Sequence, residues 1–163
     1  MAMQLRAIRD FHAGDAQACL ALFDANCPQF FAPNERADYE AFLVAPPPGY
    51  RVLVDGEQVI AAFGLIRRAG RNAALNWILI DPHRQRAGLG STVMKDVLES
   101  ARAAGERAID IAASQHSAPF FARFGAVEQR HTPDGWGPGM HRIDMRLPLV
   151  PAEGPAGLSR GSC

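Results

Sequence analysis

The stretch that decides the fold is Ala74 to Ala104, ALNWILI-DPHRQRAGLG-STVMKDVLESARAA. It reads as an apolar strand, a polar turn closed by two glycines, and an amphipathic helix. The strand stops at Asp81-Pro82, because proline lacks a ladder donor and restricts the residue before it. The helix follows from Leu89, Val93, Met94, Val97, Leu98 and Ala101, which recur on one face. Between strand and helix, Gln85-Arg86-Ala87-Gly88-Leu89-Gly90 runs into the helix N-terminus. Free backbone N–H groups and the positive end of the helix dipole meet there, so the turn suits an anion such as a pyrophosphate. Gly88 and Gly90 carry no Cβ, which lets backbone approach that anion closely.

Working outward, the segment before this unit reads as an antiparallel meander. Met3 to Ile8 forms a first strand. Asp15 is a candidate N-cap for a helix over Ala16 to Ala25, and Asn34 for a second over Glu35 to Leu43. A Pro-broken aromatic loop, Cys27 to Pro33, lies between them. Tyr50 to Val54 and Gln58 to Arg67 are strands joined at Asp55-Gly56-Glu57. After the central helix, Gly105 caps and Ala108 to Ile111 forms a strand. This completes a βαβ crossover that should be parallel and right-handed. Ser117 to Phe124 reads as a short aromatic helix, Val127 to Arg130 and His141 to Leu147 as strands, and His131 to Gly139 as a loop. One domain spans residues 1–150, and residues 151–163 have the composition of a flexible tail.

Composition bounds the partners. The chain has 163 residues, 48% of them hydrophobic, enough for one substantial core. Lys plus Arg equals Asp plus Glu at 17 each, so net charge favours neither nucleic acid nor an anionic membrane. Cys19, Cys27 and Cys163 show no paired or metal-ligand spacing, and His83 and His116 have no matching second ligand, so no metal site is expected. The N-terminus lacks an apolar core of signal-peptide length, and no apolar run is long enough to cross a bilayer. A soluble, cytoplasmic protein is the expectation.

At Gln85 to Gly90 the sequence resembles the GNAT superfamily of N-acetyltransferases. The family signature is Arg or Gln, two residues, Gly, one residue, then Gly or Ala; Gln85, Gly88 and Gly90 match it. The order of elements from Met3 to Leu149 is similar too. The resemblance implies an α/β fold of the α+β type: a mixed, mostly antiparallel central sheet flanked by helices, with one strand–glycine turn–helix–strand unit. It also implies acetyl-CoA as cosubstrate. The pyrophosphate would lie on Gln85, Arg86, Ala87, Gly88, Leu89, Gly90 and Ser91, with Arg84 or Arg86 neutralising charge. The pantetheine arm would pair with the backbone of Ile78, Leu79 and Ile80, where that strand splays from the next.

Two positions depart from the family pattern. Ser114 stands where members often carry an Asn that touches the cofactor. Phe121 stands where many place a Tyr that protonates the departing thiolate. The implied reaction is acetyl transfer to a primary amine of a small molecule or protein by direct attack in a ternary complex. The alternative is a coenzyme A-binding regulatory module without chemistry. Backbone N–H groups near Leu79 and Ile80 are candidates for polarising the carbonyl. Glu35, following the aromatic loop, is the first candidate base, with a helix-terminal carboxylate as its plainer role. His141, an imidazole on the last strand, is the second. Phe30, Phe31 and Trp136 are candidate acceptor-pocket residues, whereas Trp77 is expected to pack against the central helix. Ser91 and Thr92 either touch phosphate or cap the helix. A homodimer through sheet edges is compatible with this architecture.

Other readings of the glycine turn fail on the residues themselves. A dinucleotide-binding turn needs a third glycine where Val93 stands, and further βαβ repeats around it. A P-loop needs a Lys after Gly90.

Overall fold

Alternating apolar positions and turn residues lay out seven strands in one sheet, seen in a computed structural model that describes residues 5–70 and 72–149. The tail read over residues 151–163 and the start of the first strand, Met3 and Gln4, lie outside the described residues. In chain order the elements are β1 (Arg6–Asp10), α1 (Ala16–Asn26), α2 (Arg36–Val44), β2 (Tyr50–Asp55), β3 (Gln58–Arg68) and β4 (Asn72–Ile80). There follow α3 (Leu89–Ala103), β5 (Ala108–Ser114), α4 (Ala118–Ala122), β6 (Val127–Gly137) and β7 (Met140–Pro148). The sheet order is β1-β2-β3-β4-β5-β7-β6, antiparallel throughout except for the β4–β5 pair. This is the mixed, mostly antiparallel α/β architecture that the sequence implies. No helix among the described residues is long and apolar enough to cross a membrane.

Each face of the sheet carries a core, and the period-2 alternation of the strands sorts residues between them. Tyr50, Val52 and Val54 of β2 point toward α1 and α2, where Cys19, Phe23, Tyr39 and Leu43 are buried. Leu53 points the other way, toward α3, whose Leu89, Val93, Met94, Val97 and Ala101 are all buried. Gly105, at φ +75°, lets the chain leave α3 in the left-handed conformation, and the Glu106 N–H returns to the Ala101 carbonyl.

Asp15 stands at the N-cap position of α1, but its side chain makes no capping bond to that helix. Residues Ala13–Asp15 form a 3-10 turn that leads into the helix, and the Asp15 carboxylate turns back to accept from the His12 N–H at 3.0 Å. It also takes both arms of Arg9, at 2.8 and 2.9 Å. The Arg9 hydrogen bonds hold its carboxyl below the usual aspartate range despite burial. A depressed folded pKa means stability that is present above the unfolded pKa and lost as pH falls through it. Asp15→Ala is therefore expected to cost about 2 kcal/mol at neutral pH. In urea denaturation the gap to wild type should close below about pH 4.

The segment His131 to Gly139 is not a loop. β6 continues through it to Gly137, with Thr132 opposite Arg142 and Gly137 opposite Met140 on β7. The register is irregular between those two pairs, and Asp134 adopts φ +53°. Turn-forming Pro133, Asp134 and Gly135 hide the strand from a sequence reading. Contacts from elsewhere hold it: the Asp134 N–H donates to His141 Nδ1, the Trp136 indole to the Ala113 carbonyl, and Asn34 Nδ2 to the Trp136 carbonyl.

Candidate active site

β4 and β5 pair only over Asn72–Ala74 and Ala108–Asp110, then separate. The gap opens a cleft of about 650 Å³ lined by both strands, the α3 N-terminus, α4 and the aromatic loop. Inside it β4 carries a bulge. Ala62 faces Leu79 and Gly64 faces Asn76, so Trp77 and Ile78 together oppose the single residue Phe63. Trp77 takes φ +34°, unusual for a bulky side chain.

One end of the cleft is formed by the turn that leads into α3. Pro82–Ala87 coil in 3-10 turns, opened by the Asp81 carboxylate accepting from the His83 N–H. This places Gln85, Arg86 and Ala87 in the turn that delivers the chain to Gly88. Gly88 is left-handed at φ +72°, and Thr92 makes the first helical bond, to the Gly88 carbonyl. Leu89, Gly90 and Ser91 therefore make up the first turn of α3, whose N–H groups point out of the helix end. Gly88, Gly90 and Ser91 line the cleft. The Thr92 hydroxyl donates to Gly88 O and so serves the helix.

Arg84 is not available to an anion here. Its guanidinium holds Asp55 at 2.7 Å and Gln58 at 2.9 Å, tying the turn to the β2–β3 hairpin. The sequence reading missed Arg123, which lies over the Phe120 ring and lines the cleft. Its position just after a five-residue helix carries no motif.

Along the β4 edge, antiparallel alternation decides which backbone groups face the cleft. The Asp81 N–H donates to Ile60 O, and Leu79, two residues earlier, sits opposite Ala62. Leu79 therefore directs its N–H to β3, and its buried side chain is absent from the cleft lining. This removes Leu79 from the expected carbonyl-polarising groups. Ile78 and Ile80 line the cleft. The Ile80 carbonyl accepts from Asn26 Nδ2 at 3.0 Å, an amide also bonded to Leu22 O. Asn26, at the buried end of α1, is a second cleft residue that the sequence did not flag.

The other end is aromatic and holds one carboxylate. Phe30, Phe31, Trp77 and Trp136 line it with Glu35. Trp77 does not pack on the central helix as expected; it stacks with Phe31 and Tyr39 on the α1–α2 side. Glu35 closes a 3-10 turn, Pro33–Glu35, and is 6% exposed. One oxygen, Oε2, accepts from the Ala32 N–H at 2.7 Å. The other carries no hydrogen bond among the described residues. Burial raises its carboxyl above the usual glutamate range, outweighing the Ala32 bond.

His141 is not brought to this cleft. Its Nδ1 accepts from the Asp134 N–H, and its ring lies 5.5 Å from that of His131 on the β6–β7 ladder. Ser114 does line the cleft, but its Oγ accepts from the His116 and Ser117 N–H groups and so shapes the start of α4. Phe121 is buried beside it and offers no hydroxyl. Among the described residues no group of three or more His, Cys, Asp or Glu side chains is placed to hold a metal ion.

The Acetyltransferase (GNAT) family model matches residues 19–126, more than half of the chain. The chain belongs to the GNAT family of acetyltransferases. Among solved structures it is similar to Ard1 from Thermoplasma volcanium, with a TM-score of 0.75 and 15% identity over 89% of this chain and 98% of that one. The ribosomal-protein-S18-alanine N-acetyltransferase from Escherichia coli gives a TM-score of 0.72 and 17% identity over 91% and 97%. An aminoglycoside 6′-N-acetyltransferase solved in complex with coenzyme A gives 0.70 and 13% over 91% and 99%. At these identities the likeness is one of fold. No curated protein sequence matches the chain.

Proposed function

We propose that this enzyme transfers the acetyl group of acetyl-CoA to a primary amine of a small molecule or peptide, by direct attack within a ternary complex. The observation that carries the reading is that one cleft joins an open helix N-terminus to a buried carboxylate with a free oxygen. The residues fit the cosubstrate. Gly88 leaves the turn open and Gly90 lets Phe120 pack close, the N–H groups of the first turn of α3 suit a pyrophosphate, and the splayed β4 edge suits an amide-bearing arm. Arg123 supplies a cation at the same end.

Acetyl-CoA supplies a thioester carbonyl open to attack by a neutral amine. Glu35 is the base in this reading. Its free oxygen accepts a proton from the amine, directly or through water, and its raised pKa brings it closer to the operating pH. Phe30, Phe31, Trp77 and Trp136 exclude water and hold the apolar part of the acceptor. With Phe121 in place of a Tyr, the sulfur leaves as thiolate and is protonated from solvent.

The test is acetyl-CoA with a panel of amines, read by free thiol release and by the mass gain of one acetyl group on the amine. Thiol release that requires an amine, with a matching acetylated product, is the expected result. Tight acetyl-CoA binding with no product from any amine would overturn the reading and leave a coenzyme A-binding module.

A further inference from the structure

The bulge in β4 has a support on the opposite face of the sheet from α3. Tyr50 starts β2, two strands away, and its hydroxyl donates to the Trp77 carbonyl at 2.7 Å. The ring reaches that far because the residue between them in the sheet is Gly64, directly opposite Tyr50 on β3. A Cβ on Gly64 would stand 2.8 Å from Tyr50 Cδ1 and 3.0 Å from its Cα. Glycine is needed there for space, and the aromatic ring occupies it.

Behind Tyr50 lies a relay. The Tyr39 and Tyr50 hydroxyls are 2.8 Å apart. A carbonyl can only accept, so Tyr50 must donate to Trp77. Tyr39 then donates to Tyr50. Burial pushes both phenols upward, so each keeps its proton at neutral pH. The relay has one direction and ends on the bulge.

What it fixes is the peptide between Trp77 and Ile78. In a planar trans peptide the carbonyl of one residue and the N–H of the next point opposite ways. Anchoring the Trp77 carbonyl on the Tyr50 side turns the Ile78 N–H away from it, and Ile78 lines the cleft. The left-handed φ of Trp77 is unfavourable unless its surroundings impose it. Here the Tyr50 bond and the stacking of Trp77 on Tyr39, at 4.8 Å between centroids, do so together.

We infer that Tyr50, backed by Tyr39, is a positioning residue that aims the Ile78 N–H at the oxygen of the acetyl carbonyl through the Trp77–Ile78 peptide. The inference rests on the acetyl-transfer reading and adds to it what holds the donor in place. Tyr50 touches neither substrate.

The test uses the full chain and acetyl-CoA labelled with carbon-13 at the thioester carbonyl. The carbonyl band of the bound molecule is read by infrared difference spectroscopy, beside kcat, KM and Tm. In wild type the band moves to lower frequency on binding. In Tyr50→Phe, which keeps the ring over Gly64, most of that shift is lost. Removing an oxyanion donor costs about 10²–10³-fold in kcat. Misaiming one should cost less, about 10-fold, with KM for both substrates nearly unchanged. Tyr39→Phe leaves the Tyr50–Trp77 bond in place and should show a smaller change in the same direction.

A Tyr50→Phe enzyme with the wild-type band and the wild-type kcat overturns the inference. So does a fall in kcat that tracks Tm while the band stays put, which would make Tyr50 a packing residue. Thiol release by the wild type reads the transfer reaction separately, so either reading can fail without the other.

Discussion

Replacing Glu35 by Gln is expected to lower turnover at neutral pH by about 100-fold while leaving the fold as stable as before or more so. The first half follows from the loss of a proton acceptor, where general bases contribute about 10²–10⁴-fold. The second follows from what the carboxylate does locally. Its Oε2 accepts from the Ala32 N–H, and a glutamine oxygen can accept the same bond. What the substitution removes is a buried charge. Burial raises the Glu35 pKa above its unfolded value, so in the window between the two the folded chain binds more protons than the unfolded one. Stability therefore falls as pH rises through that window and stays lower above it. Tm at mildly alkaline pH should be equal or higher in Glu35→Gln. The wild-type rate should climb through the raised pKa of Glu35. The deficit of the variant should shrink at high pH, where free amines are already neutral. Unchanged turnover across the pH range would remove Glu35 as the base. A fall in activity matched by a fall in Tm would assign it to holding the turn.

Gly90→Val should weaken acetyl-CoA binding by about 10- to 100-fold. A Cβ on Gly90 would lie 2.5 Å from Phe120 Cε1 and 3.0 Å from Cζ. Phe120 packs edge-on against Phe121 and Phe124 and also lines the cleft. The branched side chain must push the ring into the cleft, push α4 from α3 or rotate the turn, and each changes the surface offered to the cosubstrate. One misplaced charge-assisted hydrogen bond is worth about 1.5–3 kcal/mol. At 1.4 kcal/mol per tenfold, that gives the stated range. Gly88→Ala is the comparison: a Cβ there meets nothing within 4 Å, so its cost is confined to the left-handed backbone at φ +72°. Titration calorimetry with acetyl-CoA separates the two. Equal, small losses would show that the Gly90–Phe120 contact does not shape the site.

The glycine turn and α3 were legible because their determinants are local. The apolar face of α3, the Asp81-Pro82 stop and the paired glycines all lie within a few turns of chain, and each acts through neighbouring residues. The antiparallel meander was legible for the same reason, from alternation and a hairpin turn. β6 was not, because Pro133 to Gly137 carry turn residues and the strand is held by β7, Ala113 and Asn34. Arg84 looked free in sequence and is engaged by Asp55, nearly 30 positions earlier.

By itself the sequence determined the turn and helix on which the proposed cosubstrate site rests. A helix N-terminus suited to an anion needs only a turn and a helix, and both are encoded in consecutive residues. Only the tertiary structure decided the proposed acceptor end. Burial of Glu35, the attachment of Asn26 to the Ile80 carbonyl and the arrival of Trp136 from β6 join segments far apart in the chain. The bulge itself belongs to this second class. Its shape depends on a hydroxyl from β2 crossing a glycine on β3 to reach β4, a contact with no periodicity or motif to announce it.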